Sequence, residues 1–155
     1  EVGTMAKKRM VILADTREQK PYSFERVNPK VEVIRQKLDT GDYSIRDYDN
    51  RVCVERKSLS DLFGSVGKGR KRFEREFRRM ADMDFAAVVI ERNINDWFDS
   101  PPIRSRMDPK SVFRTMVAWS VRYGVHIWPM WSRRAAEKVT FLLLERYFKE
   151  NIKNK

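Results

Sequence analysis

One short segment, Val52 to Asp61 (VCVERKSLSD), carries the residues best suited to chemistry. Its apolar start predicts a strand, and side chains alternate along a strand, so Glu55 and Lys57 face one side while Val54 and Arg56 face the other. A carboxylate and an ammonium group are therefore neighbours on one face. A lysine in that position can hold an attacking water molecule or stabilise charge that develops on phosphorus.

Two further carboxylates are predicted to reach the same patch. Asp42 precedes Glu55 by thirteen positions, and a hairpin that turns near residues 49 and 50 brings it beside Glu55 or one step away. Asp15 ends the first predicted strand, and Arg17, two positions later, can contact a phosphate through two hydrogen bonds. Oxygen ligands of this kind suit Mg²⁺ or Mn²⁺, which attract phosphate and lower the pKa of bound water.

The same residues also admit a plain structural interpretation. Exposed glutamate and lysine two positions apart on a strand are often a solvated face with a weak ion pair. In a chain that is 35% charged, such a spacing arises readily by chance. On residue types alone, a metal-dependent site that acts on phosphate and a solvated strand face both remain open.

Composition narrows the class of protein. The 155 residues include 33 Lys and Arg against 22 Asp and Glu, a net charge of +11 with a pI near 10.0. With 41% hydrophobic residues the chain has enough apolar mass for one folded domain. The excess of positive charge favours a polyanionic partner, either nucleic acid or an anionic membrane surface.

The counts of cysteine and histidine exclude several kinds of site. One cysteine, Cys53, cannot close an internal disulfide, and one histidine, His126, leaves too few ligands for structural zinc and excludes the HExxH motif. Catalysis is therefore expected to depend on carboxylates and lysine, with His126 structural. Because no apolar run is long enough to span a bilayer, an intracellular location is expected, cytoplasmic or nucleoid-associated, or nuclear in a eukaryote.

The elements that must position these residues follow from apolar periodicity and turn signals. Four strands are predicted first, at Met10 to Asp15, Val31 to Leu38, Tyr43 to Asp47, and Val52 to Lys57. Helices then alternate with strands: a short helix capped by Ser58 or Ser60 that ends at Phe63, a helix from Arg70 to Met83, a strand from Ala86 to Ile90, a helical turn from Asn95 to Phe98, a helix from Asp108-Pro109 to Tyr123, a strand from Val125 to Met130, and a helix from Arg133 to Lys149.

This order predicts an α/β fold with a mixed central sheet flanked by helices. Apolar stripes are expected at Phe73, Phe77, Met80 and Ala81 of one helix and at Val139, Leu142, Leu143 and Tyr147 of the last. Residues 1–4 precede a methionine and are interpreted as a remnant of cloning. Residues 5–155 are expected to form a single domain.

The residues singled out above resemble a known nuclease motif. The series Asp15-Thr-Arg-Glu18, Gly41-Asp42 and Glu55-Arg-Lys-x-x-x-Asp61 is similar to that of the XPF (xeroderma pigmentosum group F) endonuclease family, written GD, a variable gap, ERK, three residues and D. The resemblance continues through the later helices and strands and spans roughly residues 10 to 150. It implies a restriction-endonuclease-like core that cuts DNA near branches or flaps with Mg²⁺ or Mn²⁺.

The resemblance also implies roles for individual residues. Asp15, Asp42 and Glu55 would be metal ligands, with Lys57 positioning the water molecule. Supporting site residues would be Arg17, Glu18, Arg56 and Asp61. Family members that act on forks or flaps usually carry a helix-hairpin-helix domain after the nuclease, and none follows here, so the expectation is a minimal nuclease or an excised domain.

The predicted helix after the motif is strongly basic. From Lys68 to Met80, seven basic residues accompany two acidic ones. The candidate DNA contacts are Lys68, Arg70, Lys71, Arg72 and Arg75. The glycine-rich stretch from Gly64 to Gly69 lacks the spacing of a Walker A loop. A solvated helix face is the alternative, because charge runs are commonly no more than that.

Apolar residues in the C-terminal half exceed what one core contact needs. The helix that begins at Asp108 is apolar at Val112, Phe113, Met116, Val117, Trp119 and Val121. We expect a homodimer through this half, including the strand from Val125 to Met130, with Met116 and Trp119 as outward positions. The four tryptophans, Trp97, Trp119, Trp128 and Trp131, are interpreted as core or interface residues in preference to base-stacking platforms.

Three functions remain for comparison. The first is a metal-dependent DNA endonuclease that hydrolyses a phosphodiester. The second is a non-catalytic DNA-binding or dimerisation module of the same fold, against which the intact Asp42, Glu55 and Lys57 argue. The third is a basic domain that binds RNA or an anionic membrane surface, which leaves the carboxylates unexplained.

Overall fold

A six-stranded mixed sheet forms the centre of the computed structural model, which describes residues 8–153. Residues 1–4, interpreted above as a cloning remnant, lie outside the described residues. The strands are β1 (Val11–Ala14), β2 (Glu32–Arg35), β3 (Tyr43–Ile45), β4 (Val52–Lys57), β5 (Phe85–Ile90) and β6 (His126–Pro129). Their order across the sheet is β2-β1-β3-β4-β5-β6, which places β4 in the interior between an antiparallel and a parallel neighbour.

The pairing of β3 with β4 confirms the predicted hairpin. Tyr43 is opposite Val54, and the Asp42 N–H donates to the Val54 carbonyl over 3.0 Å. In this antiparallel register Asp42 comes opposite Glu55, as the thirteen-residue spacing predicts. The two carboxylates of the motif are thus held together by backbone hydrogen bonds and not by their side chains alone.

Within residues 8–153, five helices flank the sheet: α1 (Leu59–Val66), α2 (Arg70–Ala81), α3 (Ile94–Asp99), α4 (Pro109–Tyr123) and α5 (Arg133–Phe148), the last followed by a π-helical turn (Lys149–Lys153). Their ends follow sequence signals. The side chains of Ser58, Asp108 and Ser132 cap the N-termini of α1, α4 and α5. Gly124 ends α4 at a φ of 66°, in the left-handed region.

The alternation of side chains along β4 and β5 divides the core into two clusters. Val54 and Val89 pack on one face of the sheet with residues of α5, such as Leu144. Cys53 and Val88 pack on the other face with residues of α1, α2 and α4. The predicted α/β fold with a mixed sheet between helices is therefore confirmed. No helix within residues 8–153 is long and apolar enough to cross a bilayer.

The structure corrects several predicted boundaries and faces. Helix α1 continues through Gly64 to Val66, because its backbone hydrogen bonds extend to Gly67. Helix α2 ends at Ala81 and leaves Ala81 exposed, one position beyond the buried Met80. On α5, Leu142 is 46% exposed, since the buried face includes Phe141 and Leu144 in its place. Strands β1, β2, β3 and β6 are shorter than predicted, whereas β4 has its predicted bounds.

One glycine of the motif is required by packing and by backbone conformation. Gly41 has a φ of +81°, and a Cβ at this position would come within 2.7 Å of the Cβ of Cys53. Only glycine satisfies both conditions. Gly41 therefore allows the backbone to pack closely against Cys53 just before Asp42 and strand β3.

Candidate active site

An open cleft of about 530 Å³ contains most of the predicted site residues. Its walls come from the end of β4, the loop after β1, the start of β3, and the helices α1 and α2. The predicted residues that line it are Asp15, Arg17, Glu18, Asp42, Glu55, Lys57, Asp61 and Arg72. Residues from four separate segments of the chain thus meet at one place.

Among the described residues, Glu55 is one of two buried carboxyls that line the cleft, the other being Asp15. Glu55 is 7% exposed and shares hydrogen bonds with the carboxyls of Asp42 and Glu76. Burial, followed by the charges of Asp42 and Glu76, raises the pKa of Glu55 well above its usual range. A hydrogen bond between two carboxyls needs a proton, so ionising both Asp42 and Glu55 is disfavoured while no cation is bound. In the part of the chain that the structure describes, seven carboxyls line the cleft together with four lysine and arginine side chains, so its acidic groups outnumber its basic ones.

Asp42 lies next to Glu55, among the same carboxyls. Its Oδ2 accepts the backbone N–H of Arg56 over 2.8 Å. Burial raises the pKa of Asp42 to about 6, although the hydrogen bond with Glu55 and that backbone donor act in the opposite direction. The Asp42 carboxyl thus titrates near neutral pH, which is unusual for an aspartate and common at functional sites.

Lys57 completes the face of β4 that opens into the cleft. Its Nζ lies 4.9 Å from the centroid of the Phe73 ring, a cation–π contact that holds the ammonium group against an apolar wall. Because Glu55 and Lys57 are two positions apart on β4, both side chains project from the same side of the strand. The predicted pairing of an acid with a lysine on one face is confirmed.

Asp15 lies in the cleft with its carboxylate already engaged. Arg17 Nε donates to Asp15 Oδ2 over 2.8 Å, and the Leu38 N–H donates to Asp15 Oδ1 over 2.8 Å. Although burial opposes the shift, these donors hold the pKa of Asp15 below its usual range. The Asp15 N–H also donates to the Asp42 carbonyl over 2.8 Å. Asp15 and Arg17 therefore form a rigid wall beside the Asp42 carboxyl.

Arg56 faces away from the cleft. Its Nε donates to Glu18 over 3.1 Å and its guanidinium pairs with Glu91, which also accepts from Tyr22 and Arg133. This network ties the loop after β1 and the start of α5 to strand β4. Arg56, predicted as a supporting residue, thus acts through the scaffold, and Glu18 is shared between the network and the cleft.

The predicted basic residues fall into different environments. Arg72 lines the cleft, and Lys68, Lys71 and Arg75 are exposed beside it. The guanidinium of Arg70, in contrast, donates to Thr115 Oγ1 and lies 5.1 Å from the Trp119 ring. Arg70 thus packs between α1 and α4 while part of the residue stays exposed, and its assignment as a DNA contact stays a prediction.

Two acidic residues of this region were missed from the sequence. Glu76 lines the cleft from α2, and Glu91 anchors Arg56 from the end of β5. No sequence signal singles out Glu76, because it is three positions after the buried Phe73 just as Glu74 is three positions before the buried Phe77. Glu74, two positions earlier on α2, pairs instead with Arg122 and Tyr123.

The carboxyls of the cleft can be tested against the needs of a divalent cation. Within residues 8–153, no three His, Cys, Asp or Glu side chains already form a cage for a metal ion. Mg²⁺ does not require one, since it commonly takes one or two carboxylates and fills its remaining positions with water and substrate phosphate. The adjoining carboxyls of Asp42 and Glu55 meet that minimum. The role of Asp15 as a third ligand stays a prediction.

A second exposed feature lies on α4. Phe113, Val117 and Val121 follow one another at helical spacing and are 38%, 49% and 81% exposed. The prediction that Met116 and Trp119 point outward is wrong, because both are buried against the residues of α1 and α2. Of the tryptophans, Trp97 and Trp119 are in the core, whereas Trp128 and Trp131 are exposed. The apolar surface of α4 is therefore real but comprises different residues.

Comparison with known proteins places this geometry in context. A family model described as the ERCC4 domain matches residues 14–143. The structure described as XPF from Aeropyrum pernix matches with a TM-score of 0.70 and 24% identity, over 87% of this chain and 60% of that chain. A second structure, XPF from Aeropyrum pernix in complex with DNA, matches with a TM-score of 0.70 and 24% identity, over 93% of this chain and 68% of that chain. No curated protein matches the chain.

These matches bear on the predicted core. The sheet and its helices have the architecture of the XPF nuclease domain, so the restriction-endonuclease-like core is confirmed. The chain spans 60% of the length of the first of these structures. The residues that the family model matches, 14–143, include the GD and ERK motifs.

Proposed function

The chain belongs to the ERCC4 domain family, and from that premise we propose that it is a metal-dependent DNA endonuclease that hydrolyses phosphodiester bonds. The observation that carries this proposal is the meeting of Asp42, Glu55 and Lys57 in one open cleft. Buried carboxyls with raised pKa values favour this proposal over a non-catalytic module of the same fold. We propose branched, flap or forked DNA as the substrate, in keeping with the XPF resemblance.

The residues of the cleft divide the work of hydrolysis between them. Asp42 and Glu55 would hold Mg²⁺ or Mn²⁺, with Asp15 assisting from the neighbouring wall. When bound, such an ion supplies positive charge at the scissile phosphate and lowers the pKa of a coordinated water molecule. Lys57 orients the attacking water from the same face of β4 and stabilises negative charge as it develops on the phosphate oxygens.

Binding of DNA is supported by the charge around the cleft. Arg17 and Arg72 line it, and Lys68, Lys71 and Arg75 lie beside it on α2 and the loop before it. One of the XPF structures that this chain resembles is in complex with DNA, which supports DNA as the ligand. In the proposal, these cations contact phosphates and give an affinity that falls with salt but does not depend on base sequence.

The test of the proposed activity is cleavage of labelled DNA. Single-stranded, duplex, flap and forked substrates are incubated with the protein and Mg²⁺, Mn²⁺, Ca²⁺ or EDTA. We expect cuts with Mg²⁺ and Mn²⁺, loss of cutting in EDTA, and faster cutting of flap or forked DNA than of duplex. Binding without cutting under every metal condition would favour the non-catalytic module, and preference for RNA or anionic vesicles would favour the third function.

Pairing of two copies is proposed through α4 and β6. The apolar stripe of Phe113, Val117 and Val121 lies on the sheet face opposite α5, and β6 is at the edge of the sheet. Burial of one patch against its own copy is the usual form of a two-fold contact. These features support a homodimer formed by this half of the chain.

Sedimentation measures the proposed dimer directly. We expect the wild-type protein to be dimeric at about 10 µM, where an interface of ordinary size is assembled. Val121→Glu is expected to give a folded monomer, because Val121 is exposed in the single chain. Leu142→Glu is the matched control, since Leu142 is exposed on α5 across the sheet. A monomeric wild type, or an undisturbed dimer in Val121→Glu, would remove the proposal.

A further inference from the structure

Gly64 is a glycine for which the fold gives no reason. It lies inside α1 with helical backbone geometry, and a Cβ placed on it would have no atom within 4 Å. Glycine inside a helix is destabilising relative to alanine, because it loses more backbone freedom on folding. Gly64 therefore lowers the stability of the folded chain, and no close contact within the chain requires a glycine here.

Other glycines show what a structural reason looks like. Gly41 and Gly124 have φ values of +81° and +66°, which other residues rarely adopt. At Gly67 a Cβ would come within 3.0 Å of the Met107 side chain. Gly64 meets neither condition, since its backbone is helical and its surroundings are open. The missing side chain leaves open space on the surface of α1.

The position of Gly64 indicates which kind of ligand could use this space. The residue lines the proposed active-site cleft, on the helix that directly follows the β4 strand of Glu55 and Lys57. Although its carboxyls outnumber its cations, the same cleft is lined by Arg17 and Arg72, which can contact phosphates beside the carboxyls of Asp42 and Glu55. The ligand that fits a wall with cations beside it and a bare stretch of helix backbone is a sugar–phosphate strand.

We propose that Gly64 is the point at which the backbone of the bound DNA strand lies directly against α1, and that the missing side chain sets how close the strand comes to Lys57. This inference rests on the proposed function. A methyl group at this position would hold the strand away from the cleft wall. Because catalysis depends on placing the phosphate to within about 1 Å, a displacement of that size lowers the rate about a hundredfold.

The test exploits two effects of opposite sign in Gly64→Ala. The variant gains helix propensity in open space, so its Tm is expected to rise by about 2 °C or more. Its affinity for DNA, measured by anisotropy of a fluorescein-labelled flap substrate in EDTA, is expected to fall about tenfold, the equivalent of about 1.4 kcal/mol. With Gly64→Leu the loss of affinity should be larger. Cleavage rates with Mg²⁺ should decline in the same order.

Gly124→Ala is the matched control. It also adds one methyl group in open space, but on a residue with positive φ outside the cleft. We expect it to lower the Tm and to leave the DNA affinity of the folded protein unchanged. A rise in Tm for Gly64→Ala with undiminished DNA affinity would overturn the inference, and so would a fall in its Tm. A wild-type protein that neither binds nor cuts DNA would instead overturn the proposed function.

Discussion

Strand β4 carries charged side chains on both of its faces, but the surroundings of these side chains differ between the two. On one face Glu55 and Lys57 open into the cleft, where the Glu55 carboxyl adjoins the carboxyls of Asp42 and Glu76. On the other face Arg56 is paired with Glu18 and Glu91, and its pKa is raised further by these partners even though burial opposes the shift. On the cleft face the carboxyls lie close to one another, whereas on the other face the carboxylates are neutralised by Arg56.

This difference separates a structural group from a functional one. A network such as that of Arg56, Glu91, Tyr22 and Arg133 satisfies its own members and needs no further ligand. The crowded carboxyls of Asp42 and Glu55 destabilise the free protein unless protons or a cation relieve them. Alternation along a single strand thus places a structural brace and a reactive site at consecutive residues.

The largest effect is expected from removing the chemistry on the cleft face. Lys57→Ala and Asp42→Asn should each lower the rate of DNA cleavage with Mg²⁺ by about a thousandfold or more. DNA affinity should stay near the wild-type value, because the cations on α2 are untouched. Single-turnover cleavage and anisotropy measure the two quantities separately. Cleavage at the wild-type rate in either variant would show that the site is elsewhere.

Removing the brace on the other face should act mainly on stability. Arg56→Ala leaves buried carboxylates without their principal cation, so the free energy of unfolding should fall by about 2–4 kcal/mol. Urea denaturation measures it. Arg92→Ala is the control, since the Arg92–Asp96 pair is exposed and its removal should cost less than about 1 kcal/mol. If Arg56→Ala were as stable as the wild type, the Arg56 network would not stabilise the fold, and the proposed difference between the two faces would be wrong.

The contrast also predicts opposite responses of activity and stability to pH. Ionised carboxyls are needed to hold a cation, so cleavage at limiting Mg²⁺ should fall about tenfold per pH unit below the Asp42 pKa of about 6. A carboxyl whose folded pKa lies above its unfolded value of 3.8 stabilises the fold at low pH. That contribution, about 3 kcal/mol, is lost as pH rises from about 4 to 6.

The Asp42→Asn variant checks the stability half of this prediction. Without the titrating group, the metal-free variant should be more stable than the wild type at pH 7 and should lose less stability between pH 4 and pH 6. Denaturation curves at several pH values give both quantities. A wild-type protein that gains stability over this interval through Asp42 would contradict the crowding described for the cleft.

The smallest effect is expected when one of the carboxyls around Glu55 is removed. Glu76→Gln removes a carboxylate that interacts with Glu55 and should raise the free energy of unfolding at pH 7 by about 1 kcal/mol. Glu74→Gln on the same helix should lower it, since Glu74 pairs with Arg122 and accepts from Tyr123. Changes of the same sign in the two variants would show that Glu76 is not part of the crowded face.

Much of this arrangement was predictable because it depends on local rules. The thirteen-residue separation of Asp42 and Glu55 fixes their register across a short hairpin, and the structure has that register. The bounds of α4 follow from Asp108-Pro109 at its start and Gly124 at its end. The alternation of Glu55 and Arg56 across β4 is likewise a property of any strand.

What could not be predicted depends on how helices rotate against the sheet. Glu74 and Glu76 are alike in a sequence, yet only Glu76 faces Glu55, because Phe73 and Phe77 anchor α2 in that orientation. Arg70 looks like its basic neighbours but is drawn to Trp119 on α4. Met116 and Trp119 look no different from Val117 and Val121, and only packing against α1 and α2 decides which pair is covered.

The packing of Cys53 beneath Gly41 has a practical consequence for spectroscopy. The thiol has no exposed surface, and burial raises its pKa well above the usual value, so it should not react with maleimides while the chain is folded. A fluorophore or spin label can therefore be directed to a cysteine introduced on the surface without first removing the native one. The rate at which Cys53 itself becomes reactive then reports how often the sheet opens beneath the site.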